Sequence, residues 1–288
     1  MGESVPQRNF IDDSIQISMF FPKKMKLGLY YLKQWFRALY IYPKNILDNK
    51  DYENYWESRK IQERTGLNSF QRKRADFAVG FLEEGNVIMD IGCGSGAVLT
   101  YINEQKPMKK LIGADISKRA LEIASQKGVE IILLDISKES NWDKLPSADY
   151  VFLFEVMEHL PNSEEVLKKS LSLAKKGIFF SVPNTGFFIH RFRLLFGRFP
   201  LQWRVSPSEH LRFWTVKDMK WWLRELGFKN YILKLYEGAP FLNKIWPSLF
   251  GQGIWVFIST SEEGVDNSDC TQRPSKVESK GLIPFISV

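Results

Sequence analysis

The chain has 288 residues, of which 44% are hydrophobic and 25% charged, with a formal net charge of +7. That is ordinary globular composition, with enough apolar material for one large α/β domain and its appendages. Two cysteines, Cys93 and Cys270, are too few for a disulfide framework or a cysteine zinc site and suit a reducing, cytoplasmic setting. The charge permits acidic partners, but no polybasic tract calls for nucleic acid. No stretch approaches the ~20 apolar residues of a membrane span. Glu3, Asp12 and Asp13 precede the first apolar cluster, which is not the order of a signal peptide.

Residues 1–17 are polar and read as loose. Residues 18–50 are aromatic and basic. Leu29, Leu32, Trp35, Phe36 and Leu39 recur there at helical spacing, with Lys33 and Arg37 on another side and Pro43 ending the helix. Three readings stay open for this extension: a helix packed on the main domain, a helix lying on a membrane surface, or a lid over a greasy ligand. Residues 51–86 add a Tyr- and Trp-rich run at 51–59 and a helix around Phe70–Glu83.

Residues 87–96 read Val-Ile-Met-Asp-Ile-Gly-Cys-Gly-Ser-Gly. An apolar run suited to a buried parallel strand ends in Asp90 and breaks into Gly92, Gly94 and Gly96, and a helical stretch follows from Ala97. Glycine is needed where the backbone turns sharply and comes close to a ligand, because a Cβ would collide. The N–H groups of the helix start then face whatever binds. The dinucleotide pattern is G-x-G-x-x-G. Here it is D-x-G-x-G-x-G, and the acid repels a pyrophosphate but suits a ligand with an amine or sulfonium. A second strand, at 110–115, ends in Asp115, nineteen residues beyond Gly96 (115 − 96), where an acid that grips ribose hydroxyls is expected. A third, at 130–134, leads into Asp135 and Ile136. A fourth, at 149–154, runs into Glu155-Val-Met-Glu-His-Leu160.

From residue 70 to about 260 these ordered motifs make the sequence resemble the class I S-adenosylmethionine-dependent methyltransferases. It is similar above all to the subgroup with an E-V-x-E-H-L/V stretch after the fourth strand, which includes the ubiquinone-type O-methyltransferases. The resemblance implies a doubly wound, seven-stranded Rossmann-like α/β sheet and S-adenosyl-L-methionine as cofactor. It places Gly92, Cys93, Gly94 and Gly96 on the aminoacyl part and Asp90 opposite the cofactor's positive end. Asp115 takes the ribose diol, Asp135 with Ile136 flanks the adenine, and Ile116 and Glu155 are also cofactor-binding positions. Asp135 reads equally as a cap of the next helix.

All three histidines, His159, His190 and His210, follow the fourth strand. If a helix begins at once after that strand, Glu155 shares a face with Glu158 and His159, and the three could hold a divalent ion that acidifies an acceptor hydroxyl. The resemblance implies magnesium there. Without a metal, Glu158 and His159 shape the cofactor pocket. His159, His210 or Glu155 would serve at the reacting centre, a neutral imidazole being suited to proton removal near pH 7.

A fifth strand, at 177–182, precedes an insertion at 184–214. Between 186 and 214 it carries five arginines and one acid, Glu209, among many aromatics. Arginine forks suit phosphate or carboxylate, and aromatics suit a ring or a lipid tail. The insertion reads as a lid over an anionic, partly apolar acceptor, small or lipid-linked, or as a lid whose arginines face water. Thr215 caps a helix that Gly227 ends. Strands at 229–236 and 253–259 close the sheet as an antiparallel pair, with ordered aromatic packing expected between them. The domain reading is an extension over 1–50, a methyltransferase domain over 51–261 and a loose tail over 262–288. The functional reading is O-methylation in the cytoplasm, with peripheral membrane contact through 18–50 left open. Its rivals are an RNA methyltransferase and a cofactor-binding regulatory protein.

Overall fold

The computed structural model describes residues 67–260, apart from 201 and 203–209, together with Lys33. The extension over 1–50, apart from Lys33, the run at 51–59 and the tail lie outside the described residues.

Helix α1 (Ser69–Val79) is opened by Asn68, whose side chain accepts from the Gln71 N–H at 2.8 Å in a reciprocal capping box. Then come β1 (Val87–Ile91), α2 (Ala97–Gln105), β2 (Lys110–Asp115), α3 (Lys118–Ser125), β3 (Glu130–Leu133), β4 (Ala148–Phe154), α4 (Ser163–Leu173) and β5 (Ala174–Pro183). After these follow α5 (Phe188–Leu195), α6 (Val216–Glu225), β6 (Tyr231–Tyr236), the single turns α7 (Leu242–Ile245) and α8 (Pro247–Phe250), and β7 (Gly253–Ser259). Thr215 caps α6 by accepting from the Asp218 N–H at 3.3 Å, and Gly227 follows that helix at φ +89°.

The strands form one seven-stranded sheet in the order β3-β2-β1-β4-β5-β7-β6. The first five are parallel, while β7 runs antiparallel to both β5 and β6. The central strands read as continuous apolar runs because both faces are covered. On one face Ile88, Phe152, Phe154, Phe179, Trp255 and Phe257 pack under α1, α2 and α3. On the other Met89, Ile91, Val151, Leu153, Phe180 and Val256 pack under α4 and α6. Phe179 anchors the first layer: it is fully buried, and its ring centroid lies 4.6 Å from Phe257, 5.2 Å from Phe152 and 5.4 Å from Trp255. At the outer edge, β3 leaves Ile131 and Leu133 exposed.

From β1 the chain moves outward through β2 and β3, then returns to place β4 on the other side of β1. Ligands of such sheets bind where the direction reverses, beyond the C-terminal ends of the strands. The glycine turn after β1 and the acidic stretch after β4 meet at that point. A Cβ on Gly92 would come within 2.4 Å of Val156 Cγ2.

Candidate functional site

Gly92, Gly94 and Gly96 stand at φ +82°, +54° and +69°, a region that L side chains enter only with strain. The Gly92 and Cys93 N–H groups both donate to the Ala114 carbonyl, at 2.7 and 3.2 Å. This ties the turn to the end of β2. Gly96 is the N-cap of α2, so the first N–H groups of that helix face the crevice. Cys93 lends only its backbone. Its side chain is buried against Gly113, where an added Cβ would lie 2.7 Å from Sγ, and burial raises the thiol well above its ordinary range.

Two acids frame the turn. Asp115 Oδ2 accepts from the Gly94 N–H at 2.8 Å and Oδ1 from the Ser117 N–H at 2.9 Å. Ile116 beside it is exposed. Asp90 is 3% exposed, and its Oδ1 has no hydrogen-bond partner among the described residues. Burial pushes this carboxyl up to about 8, with Arg74 opposing the rise and Asp115 adding to it. A buried orphan acceptor with a displaced titration is a poor structural device and a good place for a cation to land. Asp135 turns to its own loop: it accepts from Ser137 N and Oγ at 3.0 and 2.6 Å and pairs with Lys138 at 3.6 Å. Burial raises its carboxyl, but these partners outweigh burial and leave it lowered. Ile136 is half-buried, packed on the core.

No α-helix begins directly after β4, so the condition for a shared helical face is not met. Glu155 stands at φ +57°, and only one 3-10 turn, Met157–His159, follows. The Glu155 side chain bonds to residues of α1, β5 and β6. Its Oε1 accepts from Ser181 Oγ at 2.8 Å and Tyr236 OH at 3.2 Å, and lies 3.5 Å from Arg74 Nη1. Burial raises the Tyr236 phenol, which stays protonated as a donor.

Glu158, His159 and His210 come together instead, with ligand atoms all within 4.8 Å of one another. The two imidazoles meet edge to face at 4.7 Å, and His159 Nε2 lies 3.9 Å from Glu158 Oε1. Glu158 is 1% exposed, and its Oε2 has no partner among the described residues. Burial first, then the charge of Glu155, raises its carboxyl well above the usual range. The His210 segment is laced to this turn, since Leu211 and Arg212 N–H donate to the Glu158 carbonyl at 2.7 and 3.1 Å. Arg212 Nη2 donates to Glu164 Oε2 at 2.7 Å, and Trp222 Nε1 donates to Glu164 Oε1 at 2.8 Å. His190 is elsewhere, buried in α5 against Phe187, where burial and then Arg193 lower it to about 4.

A family model described as a methyltransferase domain matches residues 60–232. The chain belongs to this methyltransferase family. Its sheet is that of the class I S-adenosylmethionine-dependent enzymes, and the antiparallel β7 belongs to that architecture. The ubiquinone biosynthesis O-methyltransferase of Stutzerimonas stutzeri is 26% identical over 151 residues, 50% of this chain and 64% of the relative. That of Chromobacterium violaceum is 30% identical over 109 residues, 35% of this chain and 45% of the relative. The (S)-coclaurine N-methyltransferase of Thalictrum flavum is 30% identical over 108 residues, 34% of this chain and 29% of the relative. These matches thus span less than two thirds of each relative. Among solved structures, a SAM-dependent methyltransferase from Archaeoglobus fulgidus superposes with a TM-score of 0.51 at 20% identity. It covers 73% of this chain and 100% of its own, and at that identity the likeness is one of fold.

Sequence reasoning missed Arg74, Ser181, Tyr236, Arg212 and Glu164 as parts of the site. One signal was available for Arg74. It sits beside Ala75 and one turn before Ala78, on the face of α1 that is buried, and a guanidinium there needs a partner.

Proposed function

We propose that the protein transfers the methyl group of S-adenosyl-L-methionine to a hydroxyl oxygen of a small or lipid-linked acceptor that is anionic and partly apolar. The cofactor's sulfonium is already activated, so the chain's task is to hold cofactor and acceptor in line in a dry pocket. In this reading the backbone of Gly92–Gly96 approaches the aminoacyl part, Asp90 balances its positive charge and Asp115 takes the ribose hydroxyls. Ile116, Asp135 and Ile136 flank the adenine. Glu155, held by Arg74, Ser181 and Tyr236, supports the wall between cofactor and acceptor.

The observation that carries the oxygen acceptor is the buried Glu158 carboxyl, whose Oε2 has no partner among the described residues, beside His159 and His210. A divalent cation held by these three would acidify an acceptor hydroxyl. An amine acceptor needs its lone pair free, and a cation would occupy it. The donor set is one carboxylate and two imidazoles, which suits manganese, iron, cobalt or zinc better than magnesium, a hard ion that prefers oxygen. Glu155 does not complete the set in this geometry. The test is turnover by chelator-treated protein with a panel of phenolic, sugar and lipid-linked acceptors, before and after each metal is restored. Glu158→Gln should abolish the metal response and spare cofactor affinity. Full activity in chelator would overturn the metal reading and leave His159, paired with Glu158, as general base.

An RNA acceptor remains the rival that the +7 charge permits. Salt-sensitive retention of RNA by the purified protein, with RNA-dependent turnover, would favour it. Peripheral membrane contact through residues 18–50 falls outside the described residues, apart from Lys33.

A further inference from the structure

Helix α5 carries large apolar side chains on its outer face, although Ile189 packs inward. His190 and Arg193 face the protein, with Arg193 only 2% exposed and its Nε donating to the Phe199 carbonyl at 2.8 Å. Phe192, Leu194, Leu195 and Phe196 face outward, Leu195 and Phe196 at 74% and 70% exposure. A helix packed for water alone does the reverse, because burial favours the apolar side chains and desolvation penalises the guanidinium.

A second segment also exposes large apolar side chains. Phe241, Ile245 and Trp246 are 77%, 79% and 56% exposed around α7. Phe241 is held at φ +64°, where a bulky residue is a genuine outlier. The two segments adjoin. The rings of Phe188 and Phe250 lie 5.3 Å apart, and Asn184 Nδ2 donates to the Ser248 carbonyl at 3.2 Å. Phe199 meets Phe213 at 5.4 Å, which continues the apolar surface toward the segment bearing His210. The charge is one-sided. Residues 184–199 and 238–252 contain no Asp or Glu, while Arg191, Arg193, Arg198 and Lys244 fall within them.

We propose that α5 and the α7–α8 turn dock on an anionic lipid bilayer, with Leu195, Phe196, Ile245 and Trp246 in the interface and exposed Arg191 and Lys244 at lipid phosphates. Aromatic and aliphatic tips with a cationic, acid-free fringe match that surface, whereas a protein groove of mixed charge would be matched by mixed charge. Docking sets the C-terminal edge of the sheet, and with it the candidate site, against the bilayer. It rests on the lipid-linked reading only for its purpose. Because binding is measured without turnover, the two fail separately.

The experiment is co-sedimentation of the full chain with vesicles of phosphatidylcholine, with and without phosphatidylglycerol. Binding to the anionic vesicles that weakens with salt is expected. Leu195→Ser with Ile245→Ser should lower partitioning by about tenfold or more, with cofactor affinity and melting temperature unchanged. Lys244→Glu should reduce the preference for phosphatidylglycerol. Partitioning of the double variant equal to the parent's would overturn the proposal and move any membrane contact elsewhere in the chain. So would a concentration-dependent dimer that the same variant disrupts, since the occupant would then be a second copy.

Discussion

Asp90→Asn offers a quantitative check on the cofactor crevice before any ligand is added. The Asp90 carboxyl titrates at about 8 in the folded protein, against an ordinary 3.8, with burial the main cause. Between those values the folded state holds a proton that the unfolded chain has released, so stability falls as pH rises. The contribution of Asp90 is whole below about pH 4 and is lost by about pH 8. Roughly four units at about 1.4 kcal/mol each set a ceiling near 6 kcal/mol. Relaxation and water entry bring the realistic value to about 2–3 kcal/mol. Urea unfolding of parent and variant near pH 5 and near pH 8 reads the difference directly. The buried Glu158 carboxyl shares the sign and His190 has the opposite one, but both remain in the two proteins and cancel. Because pH 5 to 8 spans about three of those four units, the parent should lose about 1.5–2 kcal/mol more than Asp90→Asn over that interval. Parallel pH profiles would refute the assignment of Asp90 as a buried, protonated acid. A cationic ligand beside Asp90 favours the carboxylate, so S-adenosylmethionine binding should also release a proton near neutral pH. Calorimetry in two buffers of different ionisation enthalpy would detect it.

Other substitutions probe neighbouring parts of the account. Gly92→Ala places a Cβ 2.4 Å from Val156 Cγ2 at φ +82° and should cost at least about tenfold in cofactor affinity, read by titration. Arg74→Met strands Glu155 without its cation and should destabilise by about 3–5 kcal/mol in urea, with Arg74→Lys milder. Phe179→Ala opens the aromatic layer and should cost about 3–5 kcal/mol while cofactor affinity, measured on the folded fraction, holds. Arg212→Ala releases the segment bearing His210 from Glu164. It should raise the metal concentration needed for activity and leave cofactor affinity unchanged.

The sheet was legible because its signals are local. The central strands are mostly apolar, and β1, β2 and β7 have the expected bounds; β5 begins three residues earlier than expected, at Ala174, and β6 two later, at Tyr231. The glycine turn was legible for the same reason, since three positive φ values can be written only with glycine at low cost. Whether a helix begins at once after β4 is left open by the local sequence. A helix there would have aligned Glu155 with Glu158 and His159. Instead Glu155 adopts a left-handed conformation and is drawn to Arg74 and Tyr236, each 81 residues away in sequence (155 − 74, 236 − 155). His210 reaches Glu158 through backbone bonds from Leu211 and Arg212, a pairing that no periodicity encodes. The segment between β6 and β7 was expected to pack its aromatics. Phe250 does, against Phe188, but Phe241 and Trp246 stand in solvent.

The most direct test of the central claim is a calorimetric titration of the purified protein, and of Asp115→Ala, with S-adenosylmethionine and its demethylated product. The account predicts that the parent binds both. Asp115→Ala should be weaker by about 1–3 kcal/mol, roughly five- to 150-fold in affinity, through lost ribose hydrogen bonds. A well-folded parent that binds neither ligand, or an Asp115→Ala variant that binds as tightly as the parent, would contradict it.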